Sequence, residues 1–192
     1  MTTVLTMAGA FGAPVALLRM LRGEVTSGNT VVGVNYANWT LDPESGSADG
    51  AKTLNAAILA TKGEVVAFGH SLGAVSMSRW LRDYAPTSDP DLPSRLSFIL
   101  AGNSRRRHTG FLTALGWVPS ATIPFDTPFR VIDVARKGDG WAVWPSNILD
   151  LGAVMRALWG QANIHPYYQD VSLSDPANAT FTEGNVTFVT TA

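Results

Sequence analysis

Cysteine is absent from this sequence of 192 residues. Its absence excludes disulfide bonds, thiolate metal sites and a cysteine nucleophile, and it is compatible with a reducing compartment. Charged residues are scarce as well, at 15% of the chain, against roughly 25% in an average soluble domain. The formal net charge of −1 provides no basic field that would attract a polyanion, so we expect no nucleic-acid partner.

Long hydrophobic runs are also missing. No apolar stretch approaches the roughly 18 residues of a transmembrane helix, so we expect no membrane span. The beginning of the chain is apolar, but it lacks a positively charged start, and Arg19 and Arg22 lie at the far end of the apolar stretch. That order is the reverse of a secretory signal peptide, so we predict no such signal and expect synthesis in the cytoplasm.

What the sequence has in abundance is apolar side chains, with 46% hydrophobic residues and six tryptophans. This content is sufficient for one folded domain over 1–192. Short, continuous apolar segments alternate with segments of helical periodicity, which predicts an α/β fold: a three-layer sandwich with a mostly parallel central sheet. Strands are predicted at 3–7, 30–36, 64–68, 96–100 and 129–135, helices at 14–21, 47–60, 71–84 and 148–159, and a polar hairpin at 179–191.

The irregular segment 103–128 is long for a loop inside a compact domain, which is typical of a functional lid or cap. Its apolar residues include Phe111, Leu112 and Trp117, for which we predict contact with substrate. Simple cover of the core is an equal alternative for them. We interpret the arginine run at 105–107 as a solvated edge, with attraction of an anionic lipid or glycan as the alternative.

The strongest chemical signal is Gly-His-Ser-Leu-Gly at 69–73, which follows a predicted strand and opens a predicted helix. This context is typical of the G-x-S-x-G nucleophile elbow, although a chance match is an alternative in a chain with 18 glycines. We therefore predict Ser71 as a nucleophile. The amide of Leu72, at the helix N-terminus, is predicted to stabilise an oxyanion. A second oxyanion donor is expected from the backbone of Ala10 or Phe11, after the first strand.

Three histidines compete for the role of the base that activates Ser71. We expect the side chain of His70 to point away from its neighbour Ser71. His108 lies in a run of arginines, whose positive charge disfavours a basic imidazole. His165 follows the last predicted helix and agrees with the chain order serine, acid, histidine of α/β-hydrolases, so it is the predicted base.

The acid that orients this histidine is expected just after the fifth predicted strand, because strand ends hold functional groups in open α/β sheets. Asp139 occupies that position, and an ordinary Asp-Gly turn is the competing interpretation. Asp126, Asp133 and Asp150 are weaker alternatives.

Several motifs together resemble a known family, the PE-PPE serine esterase domain, a cutinase-like α/β-hydrolase of mycobacteria and their phages. They are the elbow, Ala-Gly-Asn at 101–103, Asp-Thr-Pro at 126–128, Asp-Gly-Trp-Ala at 139–142 and His-Pro-Tyr-Tyr at 165–168. The resemblance spans nearly the whole chain and implies Asp139 as the acid and His165 as the base. His70 and Leu72 depart from it, since the family usually has Tyr and Gln there.

We therefore predict a serine esterase or lipase that hydrolyses acyl esters through a Ser-His-Asp triad and an acyl-enzyme, with no metal and no cofactor. The resemblance further implies an origin in a mycobacteriophage, envelope lipids as substrates, and virion association or release at lysis. A non-catalytic lipid- or glycan-binding or virion-associated module on a hydrolase fold is one alternative. An acyltransferase or a thioesterase is the other. No oligomeric state is predicted.

Overall fold

The computed structural model of the protein describes residues 1–40, 42–116 and 122–191. Within these ranges the strands form one seven-stranded sheet in the order β2-β1-β3-β4-β5-β7-β6. The strands are β1 (Thr3–Met7), β2 (Thr30–Gly33), β3 (Val65–His70), β4 (Leu96–Ala101), β5 (Arg130–Ala135), β6 (Ala179–Glu183) and β7 (Val186–Thr190). Neighbouring strands are parallel except β6 and β7, so the predicted fold class is confirmed.

Helices cover this sheet in line with the predicted sandwich. The α-helices are α1 (Pro43–Ala60), α2 (Leu72–Asp83), α3 (Phe111–Ala114) and α4 (Leu151–Asn163), and 3-10 segments lie at Pro14–Gly23, Ala85–Thr87 and Leu92–Ser94. No helix in the described ranges has both the length and the hydrophobicity needed to cross a bilayer.

The core lies on both faces of the sheet. Successive side chains of a strand point to opposite faces, and β1 illustrates this, because Leu5 packs in a cluster with α1 and α2 residues while Val4 packs in a second cluster on the other side. The second cluster is closed by the 3-10 segment Pro14–Gly23 and by Tyr168. Burial on both faces explains why the strands read as continuous apolar runs instead of alternating patterns.

The predicted helix at 14–21 forms, but as a 3-10 segment that is broken near its end. Leu21 and Arg22 adopt positive φ angles of 52° and 54°. Their amides donate to the carbonyls of Tyr168 and Gln169, at 2.8 and 3.1 Å. Hydrogen bonds to a distant segment have therefore replaced the intrahelical ones, a tertiary effect that periodicity does not encode.

The C-terminal hairpin, which the sequence predicts as a polar hairpin, is part of the central sheet. Its membership of the sheet was not predicted. Strand β7 lies between β5 and β6 and runs parallel to β5. Val186 and Phe188 are fully buried in the larger core cluster, whereas β6 is mostly exposed. The hairpin thus has one buried strand and one edge strand.

The interpretation of the arginine run as a solvated edge is wrong, since even the Arg107 side chain is only 6% exposed and pairs with Glu183. Arg105 and Arg106 are each 2% exposed. Arg105 pairs with Glu44 at the start of α1. Arg106 donates to the Val189 carbonyl at 3.0 Å and lies 4.0 Å from Asp133 Oδ1. Buried partners hold these guanidinium groups, so the start of the predicted lid 103–128 is part of the packed interior.

Candidate active site

The predicted elbow forms a sharp turn between β3 and α2. Ser71 separates the two elements, with φ 55° and ψ −120°, a conformation that is rare for a residue with a side chain. Helix α2 begins so close to the end of β1 that a Cβ atom on Gly73 would overlap the carbonyl oxygen of Met7. The glycine is therefore required for this approach, and the approach fixes Ser71 above the carboxyl end of the sheet.

Ser71 lies at hydrogen-bond distance from His165. The distance from Ser71 Oγ to His165 Nε2 is 2.8 Å, and His165 Nδ1 lies 2.8 and 3.0 Å from the two carboxylate oxygens of Asp139. A carboxylate only accepts hydrogen bonds, so Nδ1 carries the proton and Nε2 is left to accept the serine hydroxyl. The structure thus brings together the three residues predicted from the sequence, in the geometry of a Ser-His-Asp triad.

Asp139 is fully buried, yet its surroundings favour the charged form. Burial raises its pKa, but hydrogen bonds from His165, Tyr168 and the Trp141 amide, together with the charge of His165, outweigh burial and leave the pKa below its usual value. The donors lie 2.7 Å away for the Tyr168 hydroxyl and 2.9 Å for the Trp141 amide. The carboxylate is therefore ionised and held in place at neutral pH.

The alternative acids lie elsewhere in the structure. Asp133 lies within β5 and accepts from Asn103 Nδ2 at 2.9 Å. Burial raises the pKa of Asp133 to about 6, despite the opposing charge of Arg106. Asp150 accepts from the Ala153 amide at the start of α4, at 2.9 Å. Asp126 lines a separate cavity. None of the three contacts His165 among the hydrogen bonds of the described residues.

His70 has a contact that the sequence did not reveal. Its Nε2 donates to the backbone carbonyl of His165 at 2.9 Å, and the two imidazole rings are 4.9 Å apart. Burial, followed by the charge of His165, lowers the pKa of His70 to about 3. His70 is therefore a neutral donor that fixes the backbone of the His165 loop. His108 lies outside the site and contacts Glu183 at 2.8 Å.

Tyr168 is a second residue of the site to which sequence reasoning gave no role. It is fully buried, donates to Asp139 Oδ2 at 2.7 Å and accepts from the Arg136 amide at 2.9 Å. Burial, followed by the charge of Asp139, raises its pKa well above the usual value, so it remains a phenol donor. Its position three residues after His165, inside the His-Pro-Tyr-Tyr motif, was the available signal.

The predicted oxyanion donors divide into two groups. Leu72 is the first residue of α2, and the first amides of a helix have no intrahelical acceptor. The Ala10 amide also has no acceptor within the described ranges, and both residues line the cavity beside Ser71. The prediction of Phe11 as an oxyanion donor is wrong, because its amide donates to the Asn38 carbonyl at 3.0 Å and is therefore occupied.

A cavity of about 220 Å³ opens beside Ser71. Its walls are mostly apolar and include the predicted Phe111 and Leu112. Trp117, also predicted to contact substrate, lies outside the described residues. The remaining lining residues are Ala10, Thr40, Pro43, Leu72, Val75, Ser104 and Trp141. The cavity therefore presents an apolar surface next to the serine hydroxyl.

An open, mostly parallel sheet with a serine elbow after β3, followed along the chain by an acid and a histidine, is the arrangement of the α/β-hydrolase class. Within that class the chain belongs to the PE-PPE domain family, whose model matches residues 25–192. The resemblance inferred from the motifs is thereby confirmed.

Two curated proteins that the chain resembles come from Mycobacterium tuberculosis. The chain is 29% identical over 143 residues to the uncharacterized PPE family protein PPE28, covering 68% of this chain and 21% of that protein. It is 30% identical over 150 residues to Esterase PE16, covering 69% and 28%. The chain therefore spans about a quarter of the length of these curated relatives, between 21% and 28%.

A solved structure of similar fold is a cutinase-like protein from Cryptococcus sp.. The two superimpose with a TM-score of 0.54 at 19% sequence identity, over 89% of this chain and 96% of that one. At this identity the likeness concerns the fold alone, and it agrees with the predicted cutinase-like architecture.

Proposed function

We propose that this protein is a serine esterase in which Ser71, His165 and Asp139 hydrolyse an acyl ester. The observation that carries the proposal is the 2.8 Å distance between Ser71 Oγ and His165 Nε2 at a strained elbow, with Asp139 on the opposite nitrogen. The relative named Esterase PE16 supports the same chemistry.

In the first step Ser71 Oγ attacks the ester carbonyl carbon while its proton passes to His165 Nε2. The carbonyl oxygen becomes an oxyanion, which the amides of Leu72 and Ala10 stabilise, aided by the positive end of the α2 dipole. Asp139 holds the imidazole in the required tautomer and stabilises the imidazolium that forms.

Collapse of the tetrahedral intermediate expels the alcohol, which takes the proton from His165, and leaves the acyl group on Ser71. Water then attacks this acyl-enzyme, with His165 again accepting a proton, and a second collapse releases the acid and restores the serine. No part of this cycle requires a metal or an organic cofactor.

Two residues act as positioning groups in this scheme. Tyr168 holds Asp139 through its hydroxyl, and His70 holds the backbone of His165. Because the pKa of His70 is lowered to about 3, it stays neutral at working pH and adds no positive charge beside the developing imidazolium.

The acyl part of the substrate is assigned to the cavity beside Ser71, against Leu72, Val75, Phe111 and Leu112. These apolar walls favour a hydrocarbon chain over a polar group. Lipid esters, with envelope lipids as the class implied by the family, are the proposed substrates. Origin in a mycobacteriophage and release at lysis or virion association remain part of this proposal.

Hydrolysis of p-nitrophenyl esters from acetate to palmitate tests the function. We expect turnover by the wild type, loss by Ser71→Ala and retention by Ser88→Ala, whose serine lies outside the cavity. A fluorophosphonate should label Ser71 and no other serine, as read by mass spectrometry. Absence of wild-type turnover and labelling, or full activity of Ser71→Ala, would overturn the proposal in favour of a non-catalytic module.

A further inference from the structure

Helix α4 buries its small residues against the acid loop. A Cβ atom on Gly160 would overlap the Gly138 carbonyl oxygen, and one on Gly140 would overlap the Ala157 carbonyl oxygen. Ala157 and Gly160 are the buried residues of this helix. The inner side of α4 is therefore a close backbone contact with the segment that carries Asp139.

The opposite side of α4 is apolar and exposed, which is the reverse of an ordinary amphipathic surface helix. Four large side chains lie at helical spacings of four, three and one residues, and two more precede the helix. With their exposed fractions they are Ile148 (66%), Leu149 (84%), Leu151 (74%), Met155 (65%), Leu158 (46%) and Trp159 (60%). We call these six residues the α4 face. A contiguous apolar surface of this kind usually marks an interaction site.

A groove of about 510 Å³ adjoins the α4 face, and Trp159 belongs to both. Its walls include Trp144 and Ile164, and its charged lining residues are Lys137 and Arg156. No carboxylate lines the groove among the described residues. The charge that lines the groove is therefore positive and complements an anionic surface, while the one carboxylate within the segment 148–159 is Asp150, which accepts from the Ala153 amide.

The α4 face is also adjacent to the proposed active site along the chain. Helix α4 ends at Asn163, and His165 follows after one intervening residue. The inner side of the helix contacts the loop of Asp139. The helix that presents the α4 face therefore contacts the Asp139 loop and leads directly into the His165 loop.

We propose that the α4 face docks onto an anionic lipid surface. Exposed leucine, isoleucine and methionine side chains would enter the acyl region, and Trp159 would lie at the level of the headgroups, where tryptophan is enriched. Lys137 and Arg156 would contact anionic headgroups. The docking goes beyond ester hydrolysis and does not depend on Ser71 as a nucleophile.

Co-sedimentation with phosphatidylcholine vesicles, with and without phosphatidylglycerol, tests this docking. We expect the wild type to bind the anionic vesicles and the neutral ones more weakly. The double variant Leu151→Glu/Met155→Glu should lose at least about tenfold in partitioning, because two exposed apolar contacts become acidic. The matched control is Leu59→Glu on α1, which alters a side chain that is 71% exposed outside the α4 face and should bind as the wild type does.

Arg156→Gln isolates the electrostatic contribution. A single cation near an anionic bilayer contributes about fivefold in partitioning, so this variant should lose about that factor on anionic vesicles and nothing on neutral ones. Hydrolysis of the soluble ester p-nitrophenyl butyrate should be unchanged in Arg156→Gln and in the double variant. Binding without any ester turnover would refute the proposed esterase and leave the docking intact.

Three results would overturn the docking proposal. The first is the absence of wild-type binding to anionic vesicles. The second is an equal loss of binding in Leu59→Glu and in the double variant. The third is a dimer, detected by sedimentation velocity, that the double variant abolishes, because the α4 face would then be covered by a second copy of the chain.

Discussion

The buried His70 beside the triad makes the free energy of unfolding depend on pH. A single substitution at this position measures its contribution. The pKa of His70 is lowered from 6.5 to about 3, first by burial and then by the charge of His165. Below pH 6.5 the unfolded chain binds a proton at His70 that the folded protein refuses. Folding stability is therefore complete above this pH and is lost progressively as pH falls towards 3.

The size of the effect follows from the number of protons. From pH 6.5 down to pH 4.5, about two pH units, the unfolded state binds nearly one proton more than the folded state at His70. At 1.36 kcal/mol per pH unit, the free energy of unfolding of the wild type therefore falls by roughly 2 to 3 kcal/mol between about pH 7.5 and pH 4.5. His70→Gln keeps a donor for the His165 carbonyl but does not titrate. We therefore expect the variant to gain that amount of stability relative to the wild type on going from the higher to the lower pH.

Asp133 must be separated from this effect because its sign is opposite. Its pKa is raised from 3.8 to about 6, so the folded state binds the additional proton and stability rises as pH falls through 6. The contribution over the same interval is roughly 2 kcal/mol, so the wild type alone shows little net change from the two groups. Asp133→Asn should consequently lose stability relative to the wild type at the lower pH.

Urea unfolding of the wild type and the two variants at both pH values measures these differences. The reasoning about His70 is refuted if the stability difference between His70→Gln and the wild type is the same at both pH values. Such a result would mean that the folded and unfolded states titrate alike at this histidine.

Three further predictions concern the site and its frame. Asp139→Asn should lower kcat by about four orders of magnitude in ester hydrolysis, whereas Asp133→Asn should change kcat by only a few fold; the reverse order would assign the acid to Asp133. Tyr168→Phe should destabilise the fold by about 1.5 to 3 kcal/mol in urea unfolding, because a hydrogen bond to a charged group is lost, and should lower kcat more than it alters KM; an unchanged kcat would remove its positioning role. Gly73→Ala should prevent soluble expression or lower the free energy of unfolding by more than about 3 kcal/mol through overpacking. Its control, Gly152→Ala in α4, should raise the free energy of unfolding by up to about 1 kcal/mol. Equal effects of the two substitutions would contradict the close approach at the elbow.

Local patterns were sufficient for the elements that carry the site. Strand β1 lies at Thr3–Met7 as expected, and the elbow at Ser71 was identified because glycine spacing and strand-to-helix context are both local. Asp139 and His165 followed from chain order and strand ends, which the parallel topology determines. The structure places His165 within hydrogen-bond distance of both Ser71 and Asp139.

The missed features depend on partners that are distant in the sequence. The burial of Arg105 and Arg106 needs Glu44, Asp133 and β7, none of which is visible in the arginine run. The occupied amide of Phe11 depends on a carbonyl 27 positions away, at Asn38. Short-range periodicity reports which side of an element is apolar, but it does not report which remote group satisfies a polar atom.

The position of β7 in the sheet has a consequence for biosynthesis. The loop that carries Asp139 is anchored where the Lys137 amide donates to Thr191 Oγ1, across a sequence separation of 54 residues. At roughly 5 to 20 residues per second, a ribosome needs about 3 to 11 seconds to make that anchor after the loop has been synthesised. During this interval the edge of β5 is unpaired in the nascent chain, and the acid loop lacks its anchor on Thr191. A chaperone that shields this edge during translation would therefore protect the step in which the triad is assembled.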